Sequence, residues 1–143
     1  MADDLPIKVF SSQETWERWL DRNHAKAEGI WLKLAKKASR KRTVSYPEAV
    51  EVALCYGWID GQTRGLDDDY HLQRFTPRRA RSNWSKSNRD RVTALIEQGK
   101  MRPPGLAEIE RAKADGRWDA AYKSPARDPA ANPRTRSGKP ESP

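Results

Sequence analysis

Between Tyr56 and Asn88 the chain reads YGWIDGQTRGLDDDYHLQRFTPRRARSNWSKSN, a dense packing of residues that rarely serve only a core. Arg64, Arg74, Arg78, Arg79 and Arg81 alternate with the aromatics Trp58, Tyr70, Phe75 and Trp84, while Asp60 stands between Ile59 and Gly61. Guanidinium groups are planar forks of donors that match carboxylate and phosphate geometry. Ser82 and Ser85 lead into a helical pattern, where free N–H groups and the helix dipole favour an anion. One arrangement of these residues is an anion pocket. Arg74, Arg78 and Arg79 supply charge, Ser82, Ser85 and Asn88 sit at the helix start, Asp60 orients an arginine, and Trp58 and Trp84 form walls. The other arrangement is an internal brace, with Asp60 paired to Arg74 or Arg78 and Ser85 acting as an ordinary N-cap.

Other chemistries have less to stand on. His24 and His71 are the only histidines, and no Cys-x-x-Cys or His-x-x-x-His spacing occurs, so no metal site is expected. Asp67, Asp68 and Asp69 read as a solvated loop tip because the other ligands of a calcium loop are missing. No G-x-S-x-G elbow, Gly-rich phosphate loop or dinucleotide fingerprint is present, and no cofactor is expected. Asp60 is the one weak candidate for acid–base work, if it meets Asp69 across a hairpin. The single Cys55 lies within an apolar helical pattern and reads as a small buried hydrophobe.

The chain has 143 residues and a net charge of +8, from 28 Lys+Arg against 20 Asp+Glu. The excess is clustered. Lys33, Lys36, Lys37, Arg40, Lys41 and Arg42 form one block, and Arg74 to Arg102 a second, interrupted only by Asp90 and Glu97. Such clusters suit an anionic small molecule, nucleic acid or acidic lipid, and equally a solvated basic face. The opening MADDLPIKVF lacks the apolar core of a signal peptide, and no run is long enough to span a membrane. The expectation is a cytoplasmic protein with no membrane insertion.

These residues need elements to hold them. Ile7 to Phe10 is a short β-prone run, followed by capping-box spacing at Ser11 and Glu14 and an amphipathic helix from Ser12 to His24. Ile30, Leu32 and Leu34 alternate with Trp31, Lys33 and Ala35, the period of a half-buried strand. Ser45 and Glu48 open a second helix with Ala49, Val50, Ala53, Leu54 and Tyr56 on its apolar face, stopped at Gly57. Trp58–Gly61 and Tyr70–Phe75 read as strands flanking a tip at Gly65 to Asp69. A third helix follows Ser85 through Val92, Leu95 and Ile96, and a fourth runs from Pro103 to about Ala114. Trp118, Ala121 and Tyr122 close the core. The order predicts a single compact α+β domain over 1–123, with a small, largely antiparallel sheet and about four helices. Residues 124–143, rich in Pro, Ser and Arg, read as a disordered basic tail. Trp16, Trp19 and Trp58 are expected in the core, and Trp31 and Trp84 partly exposed.

The motifs WxxWLxxNH (Trp16 to His24), GIWL (Gly29 to Leu32), YGWIDG (Tyr56 to Gly61), RFTPRR (Arg74 to Arg79), SxWSxxN (Ser82 to Asn88) and AKxxGxWxxAY (Ala112 to Tyr122) occur together in this order. The set resembles the bacteriocin-protection, YdeI/OmpD-associated family of small bacterial proteins over nearly the whole folded body. The resemblance implies a stress-related, protective role, and it brings no catalytic residue or cofactor with it. The expected function is a non-catalytic module that binds an anionic ligand or partner through the Arg-rich segment. Alternatives are an enzyme acting on a small phosphorylated or carboxylated metabolite, and a nucleic-acid-binding protein.

Overall fold

The computed structural model describes residues 5–79 and 82–123, which fall into two compact units. The tail from 124 onward and Arg81 lie outside the described residues, as do the side chains of Tyr122 and Lys123. The class is α+β, with a four-stranded, mostly antiparallel sheet and five helices among the described residues. No helix among the described residues is long and apolar enough to cross a membrane.

The first unit, Met1–Arg78 with Met101–Leu106, holds the sheet. Its elements are β1 (Ile7–Val9), α1 (Gln13–Asn23), β2 (Ile30–Ala35), α2 (Tyr46–Cys55), β3 (Trp58–Gly65) and β4 (Tyr70–Pro77). The strand order is β1-β2-β4-β3, with β1 parallel to β2 and the other two pairs antiparallel. The alternation read in β2 is seen: Ile30, Leu32 and Leu34 point to one face and join Phe75 and Trp58 in the core. Both helices pack on that face. Trp16 meets the Phe75 ring at 5.5 Å, and Trp19 meets Trp58 edge-on at 5.9 Å. The buried Trp16 indole donates to Ala49 O at 3.0 Å, so its polar atom is satisfied as a buried indole should be.

Local signals place the helix starts. Ser45 Oγ accepts the Glu48 N–H and Glu48 Oε1 accepts the Ser45 N–H, completing the predicted capping box of α2. For α1 the box shifts by one residue from the expected Ser11 and Glu14: Ser12 caps, and Thr15 supplies the return oxygen. Gly57, with φ 77°, takes the left-handed turn that stops α2 and admits β3. Beyond Gly61, β3 continues to Gly65 instead of ending, through a bulge between Asp60 and Thr63.

Among the described residues, the second unit lies within Arg79–Lys100 and Ala107–Lys123. It contains α3 (Lys86–Glu97), all but the first turn of α4 (Pro103–Ala114), and α5 (Arg117–Lys123). Its centre is Trp84 against Trp118, with ring centroids 5.2 Å apart, packed with Val92, Leu95, Ile109, Ala112 and Ala121. Trp84 is 5% exposed, which corrects the expectation of partial exposure and removes it as a pocket wall. A short unit with few aliphatics must bury its indoles to have a core at all. Ile96, expected on the apolar face of α3, is instead 43% exposed.

Candidate functional site

The residues singled out in the Arg-rich segment divide between the units. Asp60, Arg74 and Arg78 belong to the first; Arg79, Ser82, Trp84, Ser85 and Asn88 belong to the second. In the second unit each has local work. Ser85 Oγ accepts the Asn88 N–H at 3.0 Å and is the N-cap of α3. Asn88 Oδ1 accepts from Arg91, one turn on in the same helix. Ser82 Oγ accepts the Arg79 N–H, and Ser82 O accepts from Arg117. The Arg79 side chain is exposed.

In the first unit, strand alternation separates Asp60 from Arg74. Asp60 is opposite Phe75 and shares its face, the helix-covered one, whereas Arg74 is opposite Trp31 on the other face. Asp60 therefore cannot orient Arg74. Its Oδ2 accepts a hydrogen bond of 2.7 Å from Tyr46 Oη on α2, and among the described residues it forms no ion pair with Arg74 or Arg78. Arg78 is buried, and its N–H donates to Gly57 O. The pairing of Asp60 with Asp69 also fails. Asp69 precedes Tyr70, six residues from the Phe75 that faces Asp60, a separation of roughly 20 Å along a strand. Asp69 Oδ1 instead accepts from Ser39 Oγ at 2.9 Å. At the tip, Asp67 Oδ1 accepts the N–H groups of Asp69 and Tyr70, and these bonds hold its carboxyl below the usual range. Among the described residues no His/Cys/Asp/Glu cluster could hold a metal ion.

The face opposite the helices gathers chemistry more densely. From β1 it carries Ile7 and Val9; from β2, Trp31 and Lys33; from β4, Tyr70, Leu72 and Arg74; and from β3, Arg64. The Arg64 guanidinium lies over the Trp31 ring, 4.3 Å from its centroid, and Lys33 Nζ lies 4.1 Å over Tyr70. These are cation–π pairs on a sheet surface. Trp31 is 2% exposed beneath Arg64, which corrects the expectation that it is partly exposed. Its Nε1 has no hydrogen-bond partner among the described residues.

Arg64 reaches this face because of the bulge. A regular strand would put residues 58, 60, 62 and 64 on one side, leaving Arg64 with Asp60 on the helix side. The extra residue between Asp60 and Thr63 reverses the phase, so Arg64 stands opposite Leu72 and beside Trp31. The bulge is held by Gln73, which is 2% exposed. Its Nε2 donates to Gly61 O at 2.8 Å and Gln62 O at 3.2 Å, and its Oε1 accepts from Thr63 Oγ1. Gly61 itself leaves room for the Arg74 stem, which would lie 3.7–3.9 Å from a Cβ at that position.

The basic loop after β2 adjoins this face. Lys36 N–H donates to Asp69 O, Lys41 N–H to Ser39 Oγ, and Ala35 N–H to Thr43 Oγ1. These bonds pin the loop while Lys36, Lys37, Arg40, Lys41 and Arg42 remain exposed. Sequence reasoning missed Tyr46, Arg64 and Gln73 as organisers. Arg64 counted only as one arginine among several, although Trp31 and Lys33 already stood on the side of β2 away from Ile30 and Leu32.

A separate polar cluster ties Met101–Leu106 to the rest of the first unit. Tyr56 Oη donates to Glu17 Oε2 at 3.1 Å, and Arg102 Nη2 meets the same oxygen at 3.1 Å. Burial, with the Glu17 charge adding to it and Arg102 opposing it, pushes the Tyr56 hydroxyl up to about 12. The folded state thus holds this proton more tightly than the unfolded chain, whose tyrosine titrates near 10. The resulting stability is fully present below pH ~10 and is lost as pH rises towards ~12, an effect of order 2 kcal/mol. Denaturant unfolding between pH 9 and 12 should show this decline, and Tyr56→Phe should flatten it.

A family model described as a domain of unknown function, DUF8412, matches residues 8–108. The chain belongs to that family. No curated protein and no solved structure matches it.

Proposed function

We propose that this member of the DUF8412 family is a non-catalytic binding module whose sheet face opposite α1 and α2 receives an anionic partner. The observation that carries this reading is the pairing of Arg64 with Trp31 and Lys33 with Tyr70 on one face. An aromatic ring beneath a long cationic side chain holds it extended, so less rotamer entropy is lost when an anion docks. Arg74, between Trp31 and the bulge, and the pinned loop cations extend the positive surface. The helix side of the same sheet is filled by indoles and aliphatics and offers no comparable surface. A stress-related role, as the resemblance to bacteriocin-protection proteins implies, is compatible with such a module.

The direct test is charge reversal. Lys33→Glu combined with Arg64→Glu should lower affinity for heparin, used as a polyanion probe, by at least about tenfold, because two favourable contacts become repulsive. Both side chains lie at the surface or are only half-buried, so the stability change should stay near 1 kcal/mol. Unchanged affinity in a folded double variant would rule the face out as the binding surface.

A further inference from the structure

We infer that the anionic partner is a single-stranded nucleic acid, an inference that rests on the binding-module reading above. The Arg64–Trp31 pair sits on the sheet face opposite α1 and α2. The Arg64 Cζ lies 4.3 Å from the Trp31 ring centroid, while Arg64 is itself exposed. A guanidinium stacked on an indole keeps its outer face flat, and unstacked bases pile on guanidinium planes as they do on aromatic rings. A base laid there would extend the column Trp31–Arg64–base. Lys33, held over Tyr70, and Arg74, opposite Trp31, lie on the same face on adjacent strands and can meet backbone phosphates.

The remaining surface favours a narrow, partly apolar ligand over a broad polyanion. Ile7 and Val9, at the β1 edge of this face, are 51% and 49% exposed and give sugars and bases a flat apolar margin. The acidic tip Asp67–Asp69 adjoins Tyr70 and the Lys36 backbone. A duplex keeps its bases paired and stacked on one another, whereas the bases of a single strand are free to stack on a guanidinium. Metabolite phosphates would need the charge but would leave both the guanidinium plane and the apolar margin unused.

The test compares the wild-type chain with Arg64→Lys, which keeps the charge and removes the plane, using a short oligothymidylate, the matching duplex, heparin and polyglutamate. The expected result is oligothymidylate binding that weakens steeply with salt and falls about tenfold in Arg64→Lys, several-fold more than heparin binding falls in the same variant. Equal binding of all polyanions, unmoved by Arg64→Lys, would overturn the single-strand assignment and leave the binding-module reading standing. Tighter binding of polyglutamate than of oligothymidylate would assign an acidic protein instead. Binding of none of the four would overturn both.

Discussion

Gln73→Leu should destabilise the first unit by about 2–4 kcal/mol, more than any surface change in it, and should at the same time abolish the arrangement of its basic face. The leucine preserves bulk but removes every hydrogen bond the amide makes. The Gly61 and Gln62 carbonyls, now served by Nε2, lose their partner, as does the Thr63 hydroxyl. One relief is to expel the extra residue and pair β3 regularly with β4, which would turn Arg64 toward the helices. Chemical denaturation gives the stability term. Loss of heparin affinity in a variant that still unfolds cooperatively would report the change of phase. A variant that keeps both wild-type stability and affinity would show that water can replace the amide and that the bulge does not depend on it.

Gly105→Ala should be nearly as damaging, about 2–4 kcal/mol, although the position is helical and Ala would ordinarily gain about 1 kcal/mol there. A Cβ on Gly105 would come within van der Waals overlap of the Cys55 and Leu54 carbonyl oxygens and of Met101 Cε, the last two at 2.7 Å. Two of these three are backbone atoms at the end of α2, which cannot rotate away. The first turn of α4 would have to lift, stretching the Arg102 N–H bond to Cys55 O and the Arg102–Glu17 pair. Thermal unfolding would show a lowered midpoint. An unchanged or raised midpoint would mean that the helix start shifts freely and that the close approach has no structural weight.

Much of the frame could be read from residue spacing. Alternation in β2 separated Ile30, Leu32 and Leu34 from Trp31 and Lys33, and caps at Ser45 and Ser85 with a stop at Gly57 located α2 and the start of α3. The site was less legible because its geometry depends on one unpaired residue. Nothing in WIDGQTRG marks a bulge apart from Gly61, and without it the period of two assigns Arg64 to the wrong face. The same gap made Asp60 look like a partner for Arg74, when strand alternation sends them to opposite sides and α2 supplies Tyr46 instead. Trp84 misled for a different reason. Its neighbours are polar and basic, and the Trp118 that buries it lies 34 residues further along.

The return of Met101–Leu106 to the sheet-bearing unit has a consequence for a nicked chain. The backbone crosses between the units at Arg78–Arg79, at Lys100–Met101 and again at Leu106–Ala107. Cleavage of one peptide bond within Lys86–Lys100 therefore produces two fragments that each own part of the first unit. The C-terminal fragment keeps Arg102, bonded through its N–H to Cys55 O and through its guanidinium to Glu17, with Gly105 seated on the end of α2. Such fragments should co-migrate under native conditions and separate only in denaturant, so a single clip would be invisible to size exclusion yet plain on a denaturing gel.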